Sequence, residues 1–195
     1  MISHISHFLD LSKKPFINRP HPQEDELLSS WMVRIALAHD TMPWSYYNMH
    51  FPEYKNIIFS RDLDVWAPDD LINKLIWKSA YKYEEIYGLT LKSLVGTVLP
   101  KCNPSGPNKY FSYIKIRGRS NQLYGQKFCA ECLKEDEIPY FRREWRFKFV
   151  SECKKHHVRL NDKCHNCGIP ISFYKVTKDG IGYTKCWHCG FSILK

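Results

Sequence analysis

Residues 164–190 read CHNCGIPISFYKVTKDGIGYTKCWHCG and hold two C-x-x-C pairs, Cys164/Cys167 and Cys186/Cys189, with 18 residues between them. Zinc takes four tetrahedral thiolate or imidazole ligands, and a C-x-x-C turn supplies two of them from one tight loop. Two such turns at this separation have zinc-ribbon spacing. Gly168 and Gly190 directly follow the second cysteine of each pair. A glycine there can take a left-handed backbone and let N–H groups approach the sulfurs. Asp179-Gly180 marks a turn between two strand-like runs, SFYKVT and IGYTK, so the stretch is expected to be a zinc ribbon.

A similar arrangement stands just upstream. CAEC brings Cys129 and Cys132, and after 20 residues CKKHH brings Cys153, His156 and His157. C-x-x-H matches the C-x-x-C spacing, which favours His156 as the fourth ligand over His157. Seven residues separate His156 from Cys164. That favours two sequential sites over a cross-braced pair, which stays open at this point. Two zinc ions per chain are expected, held by Cys129, Cys132, Cys153 and His156 and by Cys164, Cys167, Cys186 and Cys189. Each site is filled by protein ligands, and a closed site is structural rather than catalytic. His165 and His188, inside the knuckles, and the lone Cys102 are expected to be unliganded.

The 195-residue chain is 44% hydrophobic and 15% aromatic, enough to build a core. Eight cysteines in that length fall below the density of a disulfide scaffold. The N-terminus has no sustained apolar run and no stretch reaches membrane-span length, so a cytoplasmic chain with no membrane partner is expected. In that compartment thiols stay reduced and serve as metal ligands. Net charge is +9, unevenly spread: residues 1–100 carry 10 Lys/Arg and 12 Asp/Glu, residues 101–195 carry 19 and 8, giving −2 and +11. Such asymmetry suggests an anionic partner for the second half, most simply nucleic acid.

The first half reads as helices. EDELLSSWMVRIALAHD places Leu27, Leu28, Trp31, Ile35 and Ala38 at helical spacing, with Glu24, Asp25 and Glu26 in the first turn. APDDLINKLIWKSA opens on Pro68 at the first helical position and buries Leu71, Ile72, Leu75 and Ile76. YKYEEIYGLTLKSLVG has the outline of a helix-turn-helix, with a short helix ended by Gly88 and a second opened by Thr90. Tyr83, Tyr87, Leu89 and Leu94 are its expected core, and Lys92 and Ser93 its exposed recognition positions.

The expected fold class is thus α+β, small and zinc-stabilised. A helical helix-turn-helix domain fills 20–99, a linker with a possible short strand at YFSYIKI fills 100–127, and tandem zinc ribbons fill 128–195. Trp145, Phe141, Phe147 and Phe149 are expected core around the first metal site. Arg142, Arg143, Arg146 and Lys148 alternate with them, which in a strand would put the charges on the opposite face. With Lys115, Arg117 and Arg119 they are the candidate phosphate contacts. There is no H-x-E before a C-x-x-C, no H-E-x-x-H, no phosphate-cradling glycine loop and no G-x-S-x-G. The chain does not read as an enzyme.

One constellation has a wider likeness. Phe128-Cys129, Cys132-Leu133, Glu135-Asp136, Pro139 to Arg143, Trp145-Arg146, Cys153, His156, Leu160, Cys164, Cys167-Gly168 and Pro170-Ile171 together resemble the TniQ family, which includes TnsD. EDELLSSWMVRIA is similar to that family's opening helix. The resemblance implies a non-catalytic adaptor for transposition target selection in the bacterial cytoplasm, associated with the nucleoid. It would link a target-site marker to an AAA+ ATPase regulator of the TnsC or TniB kind. The marker would be an RNA-guided CRISPR effector or DNA, and a homodimer is a further partner to test. The chain ends six residues after Cys189, so against the extended TnsD kind either a short member or a truncated chain is expected. The alternative reading is a sequence-specific DNA-binding protein, either a TnsD-like site recogniser or a transcription regulator.

Overall fold

The structure is a computed structural model that describes residues 10–55, 58, 61–103, 108–112, 114, 125–172, 175–176 and 183–194. Lys115, Arg117, Arg119 and the Asp179-Gly180 turn lie outside the described residues. The described residues hold six α-helices: α1 (Leu28–Ala38), α2 (Pro43–His50), α3 (Leu63–Trp66), α4 (Asp69–Ser79), α5 (Tyr83–Gly88) and α6 (Ala130–Glu135). Among the described residues, β structure is limited to isolated bridges. Among the described residues no helix is long and apolar enough to cross a membrane.

α1 is the axis of the molecule. Every residue from Leu28 to Ala36 is buried, so the helix is covered on all sides rather than along one stripe, as expected of a helix inside a core. Ala38, placed in the stripe by spacing, is exposed because it sits in the final turn. α2 and α3 pack against α1. The expected first-turn acids lie ahead of the helix and do something else. Asp25 takes a left-handed backbone, φ 56, and Glu26 is fully buried against Arg34, with Nε at 2.8 Å.

α4 begins as its sequence demands, with Asp69 and Asp70 in the first turn, and Pro68 is its N-cap rather than its first residue. It ends where Ala80 turns left-handed, φ 61. Its last turn carries a buried cation. The Lys78 ammonium donates to the carbonyls of Leu11, Ser12 and Lys14 at 3.0, 2.9 and 2.8 Å, tying the N-terminal 3-10 turn to the helical body. Burial and that cation together lower His50 to about 4, so the imidazole beside it is neutral at physiological pH.

The expected second helix after α5 does not form among the described residues. Lys92–Leu94 is a single 3-10 turn, closed from Val95 to Leu99 by a tight loop. Burial explains the difference. Leu89 and Leu91 both turn inward, 5% and 0% exposed, and an i, i+2 pair cannot share one face of an α-helix. Tyr83 and Tyr87 instead stack on each other, centroids 5.2 Å apart, with Tyr83 at the surface. The expected recognition side chains are tied back. Lys92 donates to the Ala67 carbonyl at 2.7 Å and Ser93 to the Thr90 carbonyl at 2.7 Å.

The buried core runs without a break from Phe16 through α1 to Ile193, across the expected boundaries at 99 and 127. Two layers of contact join the halves. Backbone pairs Leu27 N–H to Phe141 O (2.9 Å) and Arg143 N–H to Asp25 O (2.7 Å) zip the chain ahead of α1 onto residues 141–143. Side chains then lock it. Phe141, Trp145 and Tyr183 pack edge to face at 6.2 and 5.3 Å from the Phe141 ring.

Candidate metal centres

Each sulfur is placed by a local backbone device. At Cys164 the N–H donates to the Ile169 carbonyl (2.9 Å), and the Gly168 N–H returns to the Cys164 carbonyl (2.8 Å). Cys186 repeats this with Phe191 and Gly190, at 2.7 and 2.9 Å. Cys153 repeats it with Val158 and His157, at 2.8 and 2.8 Å. The device needs a left-handed residue at its fifth position. Gly168, Gly190 and His157 sit there at φ 70, 71 and 53. His157 therefore stands where the other two knuckles have glycine. Its exposed ring points to Glu152, 3.5 Å away, and it is the neighbouring His156 that enters the cluster.

The first site corrects the expectation of two matching ribbons. Its other half is a helix start, not a knuckle. Cys129 is the N-cap of α6 and its sulfur accepts from the Cys132 N–H at 3.5 Å. Gly125, just ahead, has no room for a side chain: a Cβ would lie 1.9 Å from the Asp162 carbonyl oxygen. The second site joins two knuckles face to face, as ribbon spacing implied, with Asn166 Nδ2 3.7 Å from Cys189 Sγ and Trp187 Nε1 donating to the Pro170 carbonyl at 3.0 Å.

The ligand atoms gather into two groups, Cys129/Cys132/Cys153/His156 and Cys164/Cys167/Cys186/Cys189, each with all four atoms within 4.8 Å of one another. A tetrahedral zinc with thiolates at about 2.3 Å requires sulfurs about 3.8 Å apart. The distances match: Cys132 to Cys153 is 3.6 Å, Cys164 to Cys189 is 3.7 Å and Cys167 to Cys186 is 3.7 Å. His156 Nδ1 stands 3.3 to 3.6 Å from the three sulfurs of its group. Each group could hold one metal ion, and the partition is sequential, not cross-braced.

Within each group the thiols shift in opposite directions: Cys129, Cys132, Cys167 and Cys186 are raised, Cys153 and Cys189 lowered. Burial raises the Cys153 thiol, but the His156 and Lys155 N–H groups together with the Cys132 and Cys129 thiols bring it down to about 7. At Cys189 the Phe191 N–H and Asn166 lower the thiol to about 6. One supporting residue was not legible as such. Glu135, at the end of α6, accepts from His156 Nε2 at 3.0 Å and from Lys155 at 2.7 Å. A carboxylate on the outer nitrogen fixes the tautomer that presents Nδ1 to a metal. Its signal in the sequence is position alone, one helical turn beyond Cys132. His165 packs on Phe191 (5.0 Å) and Cys102 lies outside both groups.

The family model TniQ matches residues 17–160. This chain belongs to the TniQ family. A TniQ domain carries a target-selection or DNA-binding role in transposition, acts alongside other transposition proteins and is generally non-catalytic. The matched TniQ segment covers the helical body and the first cysteine group and ends before the second. Among curated proteins none matches the chain.

The basic residues that sequence offered to phosphates are largely spoken for inside the TniQ domain. They form no strand, because Glu144–Arg146 is a 3-10 turn. Arg142 grips Asp136 at 2.6 Å and lies over the Tyr140 and Trp145 rings. Arg143 pairs with Asp25 at 3.1 Å and donates to the Gly88 carbonyl. Arg146 is 1% exposed, bound to Asp62 and, at 2.9 Å, to Asp64. Lys148 is exposed and donates to the Asn108 carbonyl at 2.7 Å. Phe149, placed in the core by pattern, is 70% exposed.

His156 and His157 are separable by experiment. His156→Ala should drop bound zinc by one equivalent. His157→Gly should keep both equivalents and raise stability by about 1 kcal/mol, since it removes a side chain from left-handed backbone. Elemental analysis beside urea unfolding checks both, and equal metal loss in the two variants would reverse the assignment.

Proposed function

We propose that the chain is a non-catalytic, zinc-stabilised adaptor that links a target-site marker to an AAA+ transposition regulator. The observation that carries this reading is the TniQ match joined to two closed four-donor groups. Zinc held by four protein ligands has no open position for water or substrate. Its chemistry here would be to hold the two cysteine groups, with Cys129, Cys132, Cys153 and His156 around one ion and Cys164, Cys167, Cys186 and Cys189 around the other. The short Lys92–Leu94 turn disfavours the alternative of a sequence reader, since among the described residues no helix of groove-filling length follows α5.

The helical half is the proposed protein-docking side. Its aromatics sort by burial: Tyr46 and Tyr47 are core, while Trp44 and Trp77 are 43% and 57% exposed. Exposed tryptophans are the strongest class of interface anchor. Full-length, zinc-loaded chain should capture the purified AAA+ ATPase, and Trp44→Ala/Trp77→Ala should weaken capture at least tenfold with an unchanged unfolding midpoint. An RNA-guided effector complex serves as the second bait. Failure to capture either partner, with one duplex bound 1,000-fold or so above random DNA, would favour the sequence reader instead.

A further inference from the structure

The arginines of residues 142–146 are held by carboxylates, and Lys154 and Lys155 pair with Glu144 and Glu135 at 2.9 and 2.7 Å. The positive excess of the second half must therefore be offered elsewhere. Between the two cysteine groups runs VRLNDK, residues 158–163. Its backbone is pinned along its length: Leu160 N–H to Ser151 O (2.9 Å), Asn161 N–H to Phe128 O (3.0 Å) and Ile171 N–H to Asp162 O (2.9 Å). After Val158, itself exposed, exposure alternates from Arg159 to Lys163. Arg159, Asn161 and Lys163 are exposed, while Leu160 is buried and Asp162 half-buried. Asp162 turns to the other side, where its charge acts on Lys127.

We infer that Arg159, Asn161 and Lys163 form a rigid ridge that binds the phosphate backbone of nucleic acid. Period-two alternation puts the three on one side, with the two cations about 13 Å apart at roughly 3.3 Å per residue. Among the described residues neither cation has an ion pair. Glu152, across the bridge from Arg159, sits beside His157 at 3.5 Å. Beyond the ridge the sequence stays basic, with Lys175, Lys178 and Lys185 against the single acid Asp179. A ridge held at both ends by a cysteine knuckle loses little freedom on binding, and clustered cations on fixed backbone are what phosphate contact requires. Nucleic acid is favoured over an acidic protein because a TniQ domain carries a target-selection or DNA-binding role in transposition. The inference rests on the adaptor reading and adds the surface that reading lacks.

The test uses full-length, zinc-loaded chain and labelled 30-base-pair duplexes of two unrelated sequences, titrated across salt. Arg159→Glu/Lys163→Glu should weaken both duplexes at least tenfold near 100 mM salt and reduce the slope of log K against log salt by about 2, one per lost phosphate contact. Two zinc equivalents should remain. Arg159→Gln/Lys163→Gln should give a smaller loss in the same direction, which guards against a folding defect in the charge reversal. Lys134→Glu, on α6, should leave the slope unchanged. Duplex binding with an unaltered slope in the reversal variant overturns the ridge, as does absence of binding by the parent chain. Loss of ATPase capture with intact duplex binding also overturns it and makes the ridge a protein contact. Retained ATPase capture with lost duplex binding supports it, and keeps its fate separate from that of the adaptor reading.

Discussion

Arg146→Ala is expected to destabilise the chain by about 3–5 kcal/mol, the usual cost of removing one partner from a buried ion pair. Arg146 and Asp64 are 1% and 2% exposed, and Asp64 also accepts from the Ser29 N–H and hydroxyl at 2.8 and 2.8 Å. Burial already pushes the Asp64 carboxyl up against the pull of Arg146. Without the guanidinium, Asp64 must either stay charged and unpaired or take a proton, and both cost stability. Arg146→Lys should recover little, because a point ammonium cannot serve Asp62 and Asp64 at once as the planar fork does. The measure is the urea midpoint at saturating zinc. The informative comparison is Asp62→Asn/Asp64→Asn/Arg146→Met, which removes all three charges and should cost less than Arg146→Ala alone. Equal costs would mean that packing, not charge, holds this junction.

Stripping the metals should melt the helical half as well as the cysteine-bearing half. Structural zinc contributes roughly 10–16 kcal/mol in small fingers, more than most domains have in total. The path from the second group to α1 is short. Tyr183, three residues before Cys186, lies 2.5 Å from the Ser30 hydroxyl through its own. The Ser30 hydroxyl in turn donates to Glu26 at 2.8 Å and accepts the Phe141 N–H at 3.0 Å. Chelation, or Cys186→Ser, should therefore lose most of the helical far-ultraviolet signal in one transition, restored by added zinc in the parent chain only. Tyr183→Phe should cost only about 1–2 kcal/mol and keep both metals. A helical signal that survives chelation would show that the halves fold separately.

The cysteine groups and helices α1, α4 and α5 were legible because their causes are local. A C-x-x-C turn places its two sulfurs through hydrogen bonds spanning six residues, and the left-handed positions at Gly168 and Gly190 show in the glycines themselves. α4 could be read from Asp69, Asp70 and its apolar spacing, and ribbon spacing was enough to assign the second group. His157 was harder, since nothing local announces that a histidine fills a glycine position; comparison of three knuckles does. What only the tertiary structure decided was the use of charge. Asp25 and Glu26 read as first-turn helix acids, nothing in sequence singles out Asp62 and Asp64, and Arg142, Arg143 and Arg146 look like a phosphate-binding face. They are partners across 82 to 118 positions of chain, apart from Arg142–Asp136 and Glu26–Arg34. Opposite charges attract over any sequence separation, and period and propensity are silent about which ones meet. The helix-turn-helix outline failed for a related reason. Leu91 is drawn inward to the core beside Asp64, whose carbonyl accepts its N–H at 2.8 Å, and burial at that one position outweighs the local preference to continue as a helix.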